Sequence, residues 1–90
     1  MKRVQVLMDD ASKAILRKLY YDNRIGARHI SLENIKTGFP SHVKGDVDKK
    51  LKRLVKDNLV LVHPTSYGPQ YALNLQRIQE IIIILGGKAG

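Results

Sequence analysis

The side chains able to do chemistry are few, and their spacing argues against most of it. His29, His42 and His63 fall in separate predicted elements. They lack the i, i+4 spacing and the clustered carboxylates that a zinc site needs, and the chain has no cysteine to supply a thiolate or a disulfide. Ser31, Ser41 and Ser66 each have a structural task as cap or turn residue. None stands in a nucleophile motif with a base and an acid. Gly68 lies between Pro64 and Pro69, and Gly86-Gly87 follow the last predicted helix, so neither forms a Walker or dinucleotide phosphate loop. The distribution points away from an enzyme, a bound metal and a cofactor.

What the chain has in abundance is positive charge. Sixteen Lys and Arg stand against eight Asp and Glu in 90 residues, a formal net charge of +8, and such an excess favours polyanionic partners. A lysine-rich surface also serves solubility alone, so position must decide. Over 41–58, Val43, Val47, Leu51, Leu54 and Val55 form an apolar stripe at helical spacing. His42, Gly45, Lys49, Lys52, Arg53 and Lys56 point the other way, and Asp46 and Asp48 project to the flanks. A helix of this kind fits the major groove of B-form DNA, with its N-terminal residues nearest the base edges. Ser41, His42 and Gly45 are then the expected base-side residues. Lys49, Lys52, Arg53 and Lys56 neutralise phosphates, and Lys44 joins the same contact set. Gly45 costs roughly 1 kcal/mol against alanine in a helix interior. Either a partner's close approach requires it there or the helix simply tolerates it.

The remaining elements must hold that helix. Met8, Ala11, Ile15 and Leu19 recur at helical spacing, with Leu16 beside them, and predict a first helix from Asp10 to about Tyr21 capped by Asp9. The stretch 23–28 breaks the pattern at Gly26, and Arg28, His29 and Ile30 lead in extended form to Ser31, a second N-cap. A short helix over Leu32–Thr37 ends at the turn Gly38-Phe39-Pro40, after which Ser41 is expected to cap the third helix. Two extended stretches, 59–63 and 70–74, flank a turn-rich link over 64–69 and read as a hairpin. Leu75, Ile78, Ile81, Ile82 and Leu85 fit a helical face, although consecutive isoleucines also suit a strand.

This order resembles the winged helix-turn-helix family of DNA-binding proteins over 9–74. The segment 51–60, Leu-Lys-Arg-Leu-Val-Lys-Asp-Asn-Leu-Val, looks like the end of that family's recognition helix running into its first wing strand, with Asn58 where glycine is usual. Gly38-Phe39-Pro40-Ser41-His42 and Pro64-Thr65-Ser66-Tyr67-Gly68 also resemble small archaeal members of the superfamily. The resemblance implies an α+β winged helix-turn-helix: a three-helix core, a two- or three-stranded wing sheet and a C-terminal helix. It makes Leu32–Thr37 the positioning helix, 41–58 the recognition helix, and Thr65, Ser66 and Tyr67 a wing tip touching an adjacent groove or phosphate. Lys36 and Arg28 are further phosphate contacts near the second helix. The wing departs from the pattern in offering only His63, hydroxyls and Gln70 where Arg or Lys is usual. Tyr67 either contacts the partner or folds back on the hairpin.

One domain is expected over 1–85 with a flexible tail at 86–90. The apolar run 81–85 is far below the roughly 20 residues of a membrane span, and a cytoplasmic, cysteine-free DNA-binding protein acting in transcription regulation is the expectation. The isoleucine-rich helix covers more of its circumference than one packing face requires. Ile78, Ile81, Ile82 and Leu85 are therefore expected to form a homodimer that presents two recognition helices to a two-fold site. The alternative is packing onto the first helix. If protein docking rather than DNA binding is the function, this helix is its interface.

Overall fold

The computed structural model describes residues 8–87. In them the chain runs α1 (Asp10–Tyr21), β1 (Ile30–Ser31), α2 (Leu32–Thr37), α3 (Lys44–Lys56), β2 (Val60–Thr65), β3 (Gly68–Leu73) and α4 (Ile78–Ile84). Turns of 3-10 helix at Ser41–Val43 and Leu75–Arg77 lead into α3 and α4. The sheet is antiparallel in the order β1-β3-β2, so the fold is α+β.

Local chemistry sets the ends of these elements. Asp9 accepts a hydrogen bond from the Ser12 amide at 2.8 Å and Ser31 one from the Asn34 amide at 3.2 Å. Each satisfies an amide that the first turn of its helix leaves without a partner. Asn23 and Asn58 take left-handed backbones, φ 59° and 65°, just beyond α1 and α3. There the amides of Arg24 and Leu59 reach back to the carbonyls of Leu19 and Leu54 at 2.8 and 3.1 Å, closing both helices with the same C-terminal motif.

Three expectations are corrected. Ser41 does not cap α3: Pro40 precedes a 3-10 turn that already contains Ser41, and no side chain caps it. A cap needs an extended residue before the first turn, and that place belongs to Pro40 (ψ 155°). The link 64–69 is mostly strand, because Pro64 pairs with Pro69 and Thr65 with Gly68, leaving Ser66 and Tyr67 as the turn. The Asn74 amide bonds the Leu59 carbonyl at 2.9 Å; alternation along the ladder then puts the two prolines at a pair that exchanges no backbone hydrogen bonds. Gly86 and Gly87, expected to have no partner in the tail, belong to the closing turn of α4. Their amides bond the carbonyls of Ile83 and Ile82 at 3.0 and 2.8 Å and close α4. Of the expected domain and tail, 1–7 and 88–90 lie outside the described residues.

The core joins Ile15, Leu16 and Leu19 of α1, Ile35 of α2, Val47, Leu51 and Leu54 of α3, Leu59, Val60 and Leu73 of the hairpin and Ile81 of α4. Full burial of each such side chain contributes about 1.5–3 kcal/mol, and these are the residues that fix α3 against α1 and the sheet. The isoleucine run is helix, not strand. Ile81 is fully buried, and Ile78, Ile84 and Leu85 pack against the same core. Ile81 is therefore removed from the expected dimer contacts: burial within its own chain leaves it nothing to offer a second copy. The exposed apolar side chains at this end are Leu75 and Ile83, 60% and 57% exposed, neither in the expected set. No helix among the described residues is long and apolar enough to cross a membrane.

Candidate nucleic-acid interface

With Val47, Leu51 and Leu54 buried, the helical period turns Gly45, Lys49, Lys52, Arg53 and Lys56 to the solvent, and all are exposed. His42 and Ser41 are exposed in the 3-10 turn before them. Lys44 differs. It begins α3 on the flank of the buried stripe and is half-buried, so it does not share the outermost strip.

Ion pairs hold the two flanks of α3. On one side Asp48 meets the Lys36 ammonium of α2 at 3.0 Å. On the other Lys50 meets Asp9 at the start of α1. The Lys50 ammonium and the Ser12 hydrogen bonds hold the Asp9 carboxyl down to about 2 from an ordinary 3.8, and Asp9 in turn raises the affinity of Lys50 for its proton. These pairs have two consequences. They neutralise one of α3's own acids, leaving the outward strip more uniformly positive. They also engage Lys36, which was expected to hold a phosphate but is bound to Asp48.

Arg53 lies within 3.5 Å of Asp57 along the same helix yet stays 68% exposed. Exposed pairs of this kind contribute about 0–1 kcal/mol, little enough for a phosphate to displace the carboxylate. Among the described residues Lys49, Lys52 and Lys56 make no ion pair. Arg28 is exposed in the loop before β1, away from the strip in sequence.

The hairpin is built differently. The stretch 60–73 contains no Lys, Arg, Asp or Glu. Its tip is held by the Thr65 hydroxyl, which donates to the Gly68 carbonyl at 2.6 Å and accepts from the Tyr67 amide at 3.1 Å. Gly68 has φ 113°, a backbone that side chains with a Cβ rarely adopt. Thr65 is thus engaged inside the turn rather than offered to a partner. Tyr67 is 96% exposed, which overturns packing of its ring on the hairpin. Ser66 is exposed beside it.

Sequence spacing missed one juxtaposition. His29 and His63, far apart in the chain, stack with ring centroids 4.1 Å apart, and His29 Nδ1 lies 3.0 Å from the Gln70 side-chain oxygen. Only strand register brings them together, since His63 pairs with Gln70 and Gln70 with Ser31. Among the described residues no group of three or more His, Cys, Asp or Glu is placed to hold a metal ion.

A cleft of about 610 Å³ opens where the start of α1, the second half of α3 and α4 meet, floored by Met8, Leu54 and Leu59. Its wall cations are largely matched: Lys50 by Asp9, Arg53 by Asp57 and Arg77 by Glu80 at 2.7 Å. Lys49 also lines the cleft and has no ion-pair partner among the described residues; with Lys52 and Lys56 it continues onto the exposed strip of α3. No family model matches the chain, and neither a curated protein nor a solved structure is found to be similar to it.

Proposed function

We propose that this chain is a double-stranded DNA-binding protein of the winged helix-turn-helix kind, acting in transcription regulation, with α3 in the major groove and the β2–β3 hairpin against the flanking backbone. The observation that carries the reading is the exposed strip of Lys49, Lys52, Arg53 and Lys56 on a helix whose other face is locked in the core. A helix of ordinary width enters the major groove, and its ammonium and guanidinium groups displace counterions condensed on the phosphates. Those contacts supply affinity. Discrimination between sequences falls to His42 and Ser41 at the leading end. Two copies on a two-fold site, each presenting one α3, remain part of the proposal, with Leu75 and Ile83 as the exposed apolar side chains nearest that role.

The test is titration of the protein onto a random-sequence duplex at rising salt, followed by selection of preferred sites. Binding that weakens steeply, with log K falling by about 0.9 per log unit of salt for each phosphate engaged, supports the reading. The exposure of Leu75 and Ile83 favours one rival, docking to a protein through the α4 end. In that case duplex binding is absent and association with the true partner is nearly indifferent to salt.

A further inference from the structure

Among the described residues nothing requires position 45 to be glycine. Gly26, Gly68 and Gly86 have left-handed backbones, and a Cβ on Gly38 or Gly87 would come within 2.9 Å or 2.8 Å of a neighbouring side chain. Gly45 shows neither condition: its backbone is helical, and a Cβ built on it meets nothing within 4 Å. Glycine is among the poorest helix formers because it loses the most backbone freedom on ordering. At an exposed position in the first turns of α3, alanine would serve the fold better.

The position is also not an arbitrary one. One turn before it in the chain lies His42 and one turn after it Lys49, both exposed, so Gly45 stands midway along the leading half of the outward strip. With no side chain at Gly45, the helix backbone there is uncovered by its own residue, between the exposed His42 and Lys49.

We propose that Gly45 is the point of closest approach between α3 and duplex DNA. The helix backbone at 45 lies directly against the wall of the groove, closer than a methyl group permits, and this contact sets how deeply the helix seats. The proposal rests on the DNA-binding reading and deepens it. It assigns the seating to the first half of α3 and the counter-charge to the second half.

The experiment compares Gly45→Ala and Gly45→Leu with wild type and with Lys52→Ala/Lys56→Ala, measuring thermal unfolding and affinity for the selected duplex. The expected result for Gly45→Ala is a melting temperature raised by a few degrees together with duplex affinity reduced about tenfold. Gly45→Leu should bind more weakly still, because a larger side chain lifts the helix further. If the lysine variant loses affinity while Gly45→Ala and Gly45→Leu bind like wild type, the seating proposal is overturned and the DNA-binding reading stands. If none of the variants alters duplex binding, the reading itself fails and the proposal with it. A folded, stabilised Gly45→Ala that binds poorly has no explanation in lost stability and supports the close approach.

Discussion

The exposed faces of helix α3 and of the β2–β3 hairpin present opposite chemistry. The helix shows lysines on a backbone clamped from both sides by Lys36–Asp48 and Lys50–Asp9. The hairpin shows no formally charged Lys, Arg, Asp or Glu, is closed by the Thr65 hydroxyl and ends in a bare aromatic ring. Under the DNA-binding proposal, a hairpin without cations meets the flanking backbone through hydroxyls and shape, not through charge. On that proposal the long-range, salt-sensitive attraction belongs to α3, and the hairpin is left with short-range contacts through Ser66 and Tyr67 that respond to shape.

The largest expected effect breaks this division from the helix side. Replacing Lys49, Lys52 and Lys56 together by alanine should weaken duplex binding roughly tenfold or more. It should also flatten the salt slope by about 0.9 for each lysine that had met a phosphate, read by fluorescence anisotropy over a salt series. An unchanged slope would mean the strip is only a solvated face.

A smaller effect tests the clamp. Asp9→Ala removes the N-cap of α1 and the anchor of Lys50, and should lower unfolding stability at neutral pH by about 0.5–2 kcal/mol. Because the folded state holds the Asp9 carboxyl at about 2 instead of 3.8, its charge contributes stability that is fully present above about 3.8 and is lost as pH falls towards about 2. The gap between wild type and variant should accordingly narrow over that acid range in chemical denaturation, and a gap independent of pH there refutes the clamp.

The smallest effect comes from the hairpin. Tyr67→Ala should leave stability within about ±0.5 kcal/mol, as for other exposed positions away from packing features. It should reduce duplex affinity by less than about tenfold with no change of salt slope, because the ring brings no charge. A changed slope would show that the hairpin steers α3 onto the phosphates, and the two regions could no longer be separated.

Much of the fold was legible in the residues because it depends on neighbours in the chain. The α1 and α2 boundaries, the Asp9 and Ser31 caps and the left-handed Asn58 are local events, set by side chains three to five positions apart. The outward basic strip was legible for the same reason: a helical period and one apolar stripe orient every other residue. The rest depends on partners distant in the chain. Prolines at 64 and 69 suggest a loop, and only the ladder shows that the hairpin runs through them because their missing amides are not needed. The isoleucine run puts Ile81 among candidate dimer contacts, whereas the packing of α4 on the domain buries it. Lys36 looked available until Asp48 of the adjacent helix took its charge.

By itself, the amino-acid sequence determined which stretches coil, where they stop and which face of α3 is positive, since helical periodicity and capping act over a turn or two of chain. Tertiary structure alone decided which cations remain open, that His29 lies on His63, and that Tyr67 stands clear of the hairpin. Those outcomes depend on segments brought together by burial of a common core, and a hydrophobic driving force is non-directional, proportional to area and blind to sequence distance. It leaves no short-range mark by which they could have been read in advance.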